Sequence, residues 1–238
     1  MPLFLLNKND LTFPDPHLAL PDGLLAIGGD LRPERVLLAY RSGIFPWYSG
    51  GELIQWWSPD PRFVLYLNEV HIPRSLTKVL TQKKFTLQLD TDFVQTIQLC
   101  AKRPRQGQGG TWITQSMQRA YIQLFEQGYA HSAEAWIGDR LVGGLYGVSL
   151  GNLFFGESMF YLVPDASKAA FAALTEQLCR WGFGLIDSQL HTHHVERFGG
   201  RHISRIRYLE ELEAALQHPT RKGRWVFDDH FGQGWKNE

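Results

Sequence analysis

The chain has 238 residues, 44% hydrophobic and 20% charged, and its 24 basic side chains are balanced by 24 acidic ones. This is ordinary globular composition, with enough length for one large domain or a small one joined to a larger one. Zero net charge excludes a global basic field, so a nucleic-acid partner would have to meet local basic patches.

Cys100 and Cys179 are the two cysteines. They offer no disulfide framework and no cysteine metal cluster, and they favour a reducing compartment. The run Met1–Lys8 has too short an apolar part and no basic start for a signal peptide. No run reaches the length of a membrane span. A cytoplasmic protein with no membrane partner is expected.

Residues 1–61 are rich in Gly, Pro and aromatics and read as a small N-terminal domain. One helix stands out there, with Pro33 in its first turn, Val36, Leu37 and Tyr40 as apolar positions and Gly43 as its stop. The rest reads as turns and short extended pieces packed on something larger.

Residues 62–238 read as a second, larger domain. Phe63–Leu67 reads as a strand, Pro73–Leu80 as a helix, Phe85–Leu89 as a strand and Phe93–Ala101 as a helix. Thr114 is placed to cap a helix carrying Met117, Tyr121, Leu124 and Phe125, ended by Gly128. Three strands follow, Ser132–Ile137, Leu141–Ser149 and Leu153–Phe160, joined at Gly138-Asp139 and Gly151-Asn152. A helix over about Ser167–Trp181 leads to a strand, Leu185–Gln189. Ser204 is placed to cap a last helix with Ile206, Leu209, Leu212 and Leu216 inside.

Antiparallel strands, a helix and a returning strand make a mixed α/β sheet. The order is reminiscent of the GCN5-related N-acyltransferase fold, an analogy that fixes no function by itself.

Two carboxylates interrupt apolar strands: Glu157 in Leu153–Phe160 and Asp187 in Leu185–Gln189. A charge there is costly unless it is paired or has a task. The fold order sets them on adjacent strands, and Gln189 falls at the spacing that shares a strand face with Asp187. The three residues suit a site that orients an amine and a developing oxyanion. The competing reading is a polar network that pins the sheet.

Gly156–Phe160 is not a nucleophile elbow, because Phe160 stands where that motif needs glycine. His191-Thr192-His193-His194 invites a metal reading. With no cysteine nearby and only Glu196 following, a solvated loop without metal is expected. Trp47, Trp56, Trp57 and Trp112 are candidates to stack on a purine or to serve as core.

Basic residues group at Arg74, Lys78, Lys83 and Lys84; at Lys102, Arg103 and Arg105; at Arg201, Arg205 and Arg207; and at Arg221, Lys222 and Arg224. Each group is a solvated face or, if several share a surface, a track for a phosphate backbone. The segment Tyr161–Lys168 has no glycine for a pyrophosphate nest, so an acyl donor other than coenzyme A is expected.

Several ordered runs resemble the leucyl/phenylalanyl-tRNA–protein transferase family. They are Gly23–Leu31, Gly43–Trp47, Trp56–Arg62, Gly110–Thr114, Ala130–Ser132, Leu141–Gly147, Phe155–Phe160 and Leu185–Gln189. The resemblance implies transfer of Leu, Phe or sometimes Met from aminoacyl-tRNA to the α-amino group of proteins that begin with Arg or Lys, marking them for degradation. It also implies an acyltransferase-like catalytic domain and no metal or other cofactor.

Carried over by motif, Asp187, Gln189 and Glu157 are the reaction centre. Trp47 and Trp112 meet the terminal adenosine. Tyr121, Leu145, Phe154, Gly156, Met159, Leu174 and Ile186 form the aminoacyl side-chain pocket. Asp187 is expected to hold the acceptor amine and take its proton, and Glu157 to hold the donor's ammonium. Arg74, Lys78, Lys83 and Lys84 are expected to follow the tRNA backbone, and a monomer is expected.

Departures from the family pattern are Tyr161-Leu162 for Ser-Arg, Ser188 for a common Cys, Leu145 for a frequent Met and Leu174 for an aromatic. The last two bear on pocket shape. Two alternatives stay open, a tRNA-dependent transferase acting on a peptide or cell-wall precursor, and a non-catalytic RNA-binding module.

Overall fold

The three-strand run forms as its turns demand. β7 (Ala130–Ile137), β8 (Arg140–Leu150) and β9 (Leu153–Tyr161) are joined at Gly138 and Gly151, which have φ of +55° and +57°. Glycine takes that conformation without steric cost. At Gly151 a Cβ would also stand 2.0 Å from the Ala215 carbonyl oxygen, so no other residue fits there. The computed structural model describes residues 3–102, 112–229 and 231–232. Arg103, Arg105, Gly110 and Thr111, used above, lie outside the described residues.

Around this run the large sheet takes the order β11–β5–β10–β9–β8–β7–β6 among the described residues. Here β5 is Arg62–Tyr66, β6 Thr86–Leu89, β10 Leu185–Asp187 and β11 Arg201–Ile203. β10 runs parallel to β9 and antiparallel to β5. Helix α5 (Ala166–Arg180) makes the crossover from β9 to β10 and lies against β7 and β8. That close approach needs Gly143, where a Cβ would come within 2.5 Å of the Ala166 Cβ. The mixed α/β sheet and the returning parallel strand are as the sequence order implied.

Each face of this sheet has its own apolar core. One holds Leu65, Leu145, Phe154 and Ile186 with α5 and α2 (Arg74–Thr81). The other holds Phe155, Tyr146 and Leu185 with α1 (Pro33–Arg41), α3 (Phe93–Lys102), α4 (Gln115–Glu126) and α7 (Arg205–Leu216). Residues of the first 61 belong to this second core. There β1 (Phe4–Leu6), β2 (Leu24–Gly28), β3 (Phe45–Pro46) and β4 (Gln55–Trp57) form a small sheet of order β1–β2–β4–β3. Trp56 is fully buried in it and donates its indole N–H to the Gly28 carbonyl at 3.0 Å.

Caps fall where side chains can reach orphan backbone donors. Thr114 accepts from Met117 N and Ser204 from Arg207 N.

Two expectations are corrected. Ile206 is 60% exposed, and α7 turns Tyr208 and Ala215 inward beside the expected Leu212. The spacing of those three is one helical face, and Tyr208 belongs to it because its hydroxyl has a buried partner, described below. The Leu185–Gln189 strand stops at Asp187, because Gln189 takes φ +56°. The shared strand face expected of Asp187 and Gln189 is therefore absent. Among the described residues no helix is long and apolar enough to cross a membrane.

Candidate active site

The strands β9 and β10 part at the two carboxylates. Their last paired residues are Phe155 and Asp187. Beyond that point the chain stays with β5: Ser188 N donates to the Phe63 carbonyl at 3.0 Å, and Phe63 N to the Gln189 carbonyl at 3.2 Å. β9 meanwhile runs on to Tyr161 beside β8. The opening leaves Gly156 to Met159 half-buried in a strand that is otherwise largely buried.

Asp187 is sealed. It is fully buried, and Arg62 grips both of its oxygens, Nε to Oδ1 at 2.9 Å and Nη2 to Oδ2 at 2.7 Å. The Tyr208 hydroxyl donates to Oδ2 at 2.8 Å, and Gln189 N to Oδ1 at 2.8 Å. Such a bidentate pair is among the strongest side-chain contacts. Burial alone would weaken the Arg62 charge, but the Asp187 carboxylate outweighs that and holds Arg62 above its usual range. Arg62 also donates to the Gly43 carbonyl at 3.2 Å and lies over the rings of Phe45 and Tyr208.

Glu157 is the extra residue of a bulge. Tyr146 pairs with Ser158 and Gly147 with Gly156, so Glu157 has no partner on β8. A bulge of this kind re-aims side chains, and the apolar faces switch across it: Phe155 and Phe160 enter the same core although five residues apart. The carboxylate meets two buried tyrosines. Tyr40 donates to Oε1 at 2.6 Å and Tyr121 to Oε2 at 2.9 Å, while Gln189 Nε2 donates to Oε1 at 3.1 Å.

The two hydroxyls are themselves 2.5 Å apart. Three oxygen–oxygen contacts need three protons, and two tyrosines supply two. A protonated carboxyl supplies the third by donating to one tyrosine, which then turns its own proton to the other tyrosine instead of to Glu157. Burial is the largest influence on this carboxyl and lifts it to about 7, against the hydrogen bonds from Tyr40 and Tyr121; Asp187 adds to the rise and Arg62 opposes it. Burial first, then Glu157, pushes both tyrosines well above their ordinary value, so they stay protonated.

The apolar candidates lie on the opposite face. Leu145 pairs with Met159 across β8 and β9, and Phe154 with Ile186 across β9 and β10. Leu174 of α5 belongs to the same cluster, and a Cβ on Gly156 would stand 3.7 Å from Ile186 Cγ2. Tyr121 is not brought to them; it sits in the other core with its hydroxyl on Glu157.

Trp47 and Trp112 are half-buried against that same core. Their segments are bridged by Tyr48 and Thr114, whose hydroxyls are 3.3 Å apart. The Trp57 indole donates to the Trp47 carbonyl at 2.7 Å and its ring meets that of Trp47 edge-on.

Arg74, Lys78, Lys83 and Lys84 are exposed on α2 and the turn after it. This is the layer of α5, on the face away from Trp47 and Trp112. A cavity of about 420 Å³ adjoins Lys83, lined also by Leu80, Phe85, Leu87 and Ala169, and does not touch the carboxylates. The later basic groups have internal partners: Arg201 pairs with Glu69, Arg205 bonds the Ser58 carbonyl, Arg207 pairs with Glu211 and Arg224 bonds the Asp90 carbonyl.

Sequence reasoning did not single out Arg62, Tyr40 or Tyr208 as site residues. Arg62 closes the Trp56–Arg62 run and Tyr40 stood only as an apolar helix position. A signal was available: a carboxylate in an apolar strand demands a cation or donors.

An apolar row packed on one face of the sheet and a titratable carboxyl on the other, flanking the point where two strands part, suit a group-transfer enzyme of mixed α/β fold. Comparison with known proteins gives its family. The description "Leucyl/phenylalanyl-tRNA protein transferase" matches residues 64–213, and that of the family's N-terminal domain matches residues 29–60.

The chain is 53% identical to a leucyl/phenylalanyl-tRNA–protein transferase of Nitratidesulfovibrio vulgaris (strain DP4), over 97% of this chain and 99% of that one. It is 52% identical to one of Myxococcus xanthus (strain DK1622), over 95% and 97%. It is 54% identical to one of Anaeromyxobacter sp. (strain K), over 94% and 96%. A solved structure described as that of L-PGS from Bacillus licheniformis overlays 71% of this chain and about half, 54%, of its own, with a TM-score of 0.40 and 12% identity, too slight a likeness to argue from. The chain belongs to the leucyl/phenylalanyl-tRNA–protein transferase family.

Proposed function

We propose that this protein transfers Leu, Phe or Met from aminoacyl-tRNA to the α-amino group of proteins that begin with Arg or Lys, marking them for degradation. The reading includes a cytoplasmic monomer divided at residues 61 and 62. The observation that carries it is the placement of Glu157 and the Leu145–Met159–Phe154–Ile186 row on the two faces of the sheet beside the point where β9 and β10 part. The apolar row, whose Leu145, Phe154 and Ile186 are buried, opens to receive the donor's side chain, and Leu, Phe and Met are alike in needing only burial. Charged side chains are excluded by desolvation. The terminal adenosine rests at Trp47 and Trp112. Arg74, Lys78, Lys83 and Lys84 remain the proposed contacts to the tRNA backbone.

Aminolysis converts an ester into an amide and needs no external energy source. The acceptor amine must lose a proton. An α-amine has a pKa near 8, and Glu157 is lifted to about 7. Proton transfer between such groups costs about 1.4 kcal/mol before attack, and it becomes favourable once the attacking nitrogen turns acidic in the tetrahedral adduct.

Glu157 is therefore the proposed proton acceptor, in place of the ammonium-holding role expected of it, with Tyr40 and Tyr121 holding its two oxygens. Gln189 is the second group at the reacting atoms. The proton-accepting role expected of Asp187 passes to Glu157, since Asp187 is buried and saturated by Arg62, Tyr208 and Gln189 N. Asp187 is a positioning residue: it fixes the backbone of Gln189 in a strained conformation, as functional sites often do.

The test is incubation with labelled Leu-tRNA and a protein beginning with Arg. Label is expected on the protein's N-terminus. Label on a small peptide or cell-wall precursor alone, or binding of tRNA without transfer, would overturn the reading.

A further inference from the structure

The loop after Gln189 carries a cluster that the transfer chemistry does not use. Thr192 accepts from Val195 N and starts the short helix α6 (His193–Glu196). This turn sets Glu196 beside His193 and brings it back to His191. Glu196 Oε2 is 3.1 Å from His193 Nδ1 and 3.3 Å from His191 Nε2. The three ligand atoms all lie within 4.8 Å of one another.

Those separations have a chemical meaning. Zinc–nitrogen bonds of about 2.0–2.1 Å place neighbouring ligands of a tetrahedral shell about 3.3 Å apart. Two edges of the triangle already have nearly that length. The third is closed by a small swing of His193, whose side chain is 89% exposed. A divalent ion seated among the three atoms replaces the two imidazole–carboxylate contacts with three metal–ligand bonds. His191 is also held in place: its ring meets Phe63 edge-on and lies nearly parallel to that of His202.

We propose that His191 Nε2, His193 Nδ1 and Glu196 Oε2 form a surface site for a borderline divalent transition-metal ion of the zinc class, with water completing the shell. Imidazole and carboxylate donors suit this class. Three protein ligands with an open position allow exchange with solvent, unlike a closed structural site. The sequence alone argued for a solvated loop because it counted ligands without the turn that gathers them. The site adjoins the reaction centre without belonging to it. His191 stands two residues past Gln189, and Phe63, which its ring touches, bonds both Ser188 N and the Gln189 carbonyl. A bound ion therefore braces the segment that carries Gln189.

Calorimetric titration of the chelator-treated full chain with zinc chloride tests this. One ion per chain is expected, with His193→Ala and Glu196→Gln each weakening binding at least ~10-fold, as for loss of one of three ligands. Both side chains lie at the surface, so the variants keep their fold, which circular dichroism checks. Cobalt substitution should give the absorption of a nitrogen- and oxygen-ligated ion in the wild type and not in His193→Ala. Absence of binding by the wild type, or unchanged affinity in both variants, overturns the proposal.

Discussion

Glu157 and Asp187 lie on neighbouring strands and face the same side of the sheet, yet their surroundings differ in kind. Asp187 has a cation on both oxygens, a tyrosine and a backbone amide, and no exposure. Glu157 has two hydroxyls, a side-chain amide and an opening to solvent, and its carboxyl is pushed up to about 7. Environment divides the labour between two like groups. The carboxylate with a full set of partners holds the scaffold. The one whose ring of contacts is short of a proton can exchange one with a substrate.

The difference is most sharply broken at Arg62. Arg62→Met leaves Asp187 buried without its cation, which should cost about 3–5 kcal/mol, read by urea unfolding. A loss under about 1 kcal/mol would mean that Asp187 is not the structural anchor described.

A smaller effect sharpens the Glu157 side. Its folded pKa lies above the ordinary 4.5, so the fold favours the protonated form. That contribution is complete below about pH 4.5 and is lost as pH rises through about 7. Glu157→Gln cannot ionise. Its stability relative to the wild type should therefore improve by about 1–3 kcal/mol between pH 5 and pH 8. A difference that is flat with pH would contradict the raised pKa.

The smallest effect concerns the opposite face. Met159→Ala should change the preference among Leu, Phe and Met donors by only about 1 kcal/mol, the scale at which apolar pockets discriminate. Competition between two labelled aminoacyl-tRNAs measures it.

Local features were legible in the sequence, and long-range ones were not. Gly138, Gly151, Thr114 and Ser204 announced turns and caps because each acts within a few residues. Glu157, Asp187 and Gln189 announced themselves as polar residues in apolar runs. Their partners did not, since Arg62 is 125 residues from Asp187 and Tyr40 is 117 from Glu157. Nor could alternation reveal the bulge at Glu157, because one unpaired residue shows only once β8 is laid beside β9. Ile206 was misplaced for a related reason. Hydropathy prefers it to Tyr208, while the buried hydroxyl partner that decides the helix face lies on another strand.

The central claim, that Glu157 and not Asp187 takes the proton, is tested most directly by the pH dependence of single-turnover transfer. The wild-type rate should show a limb at about pH 7, distinct from the one near pH 8 that the acceptor amine contributes in every variant. Glu157→Gln should be at least ~10²-fold slower and lack that limb, as for loss of a positioned base. Asp187→Asn, slowed by disordered positioning, should keep the limb. A Glu157→Gln enzyme that keeps the lower limb, with Asp187→Asn lacking it, would contradict the account.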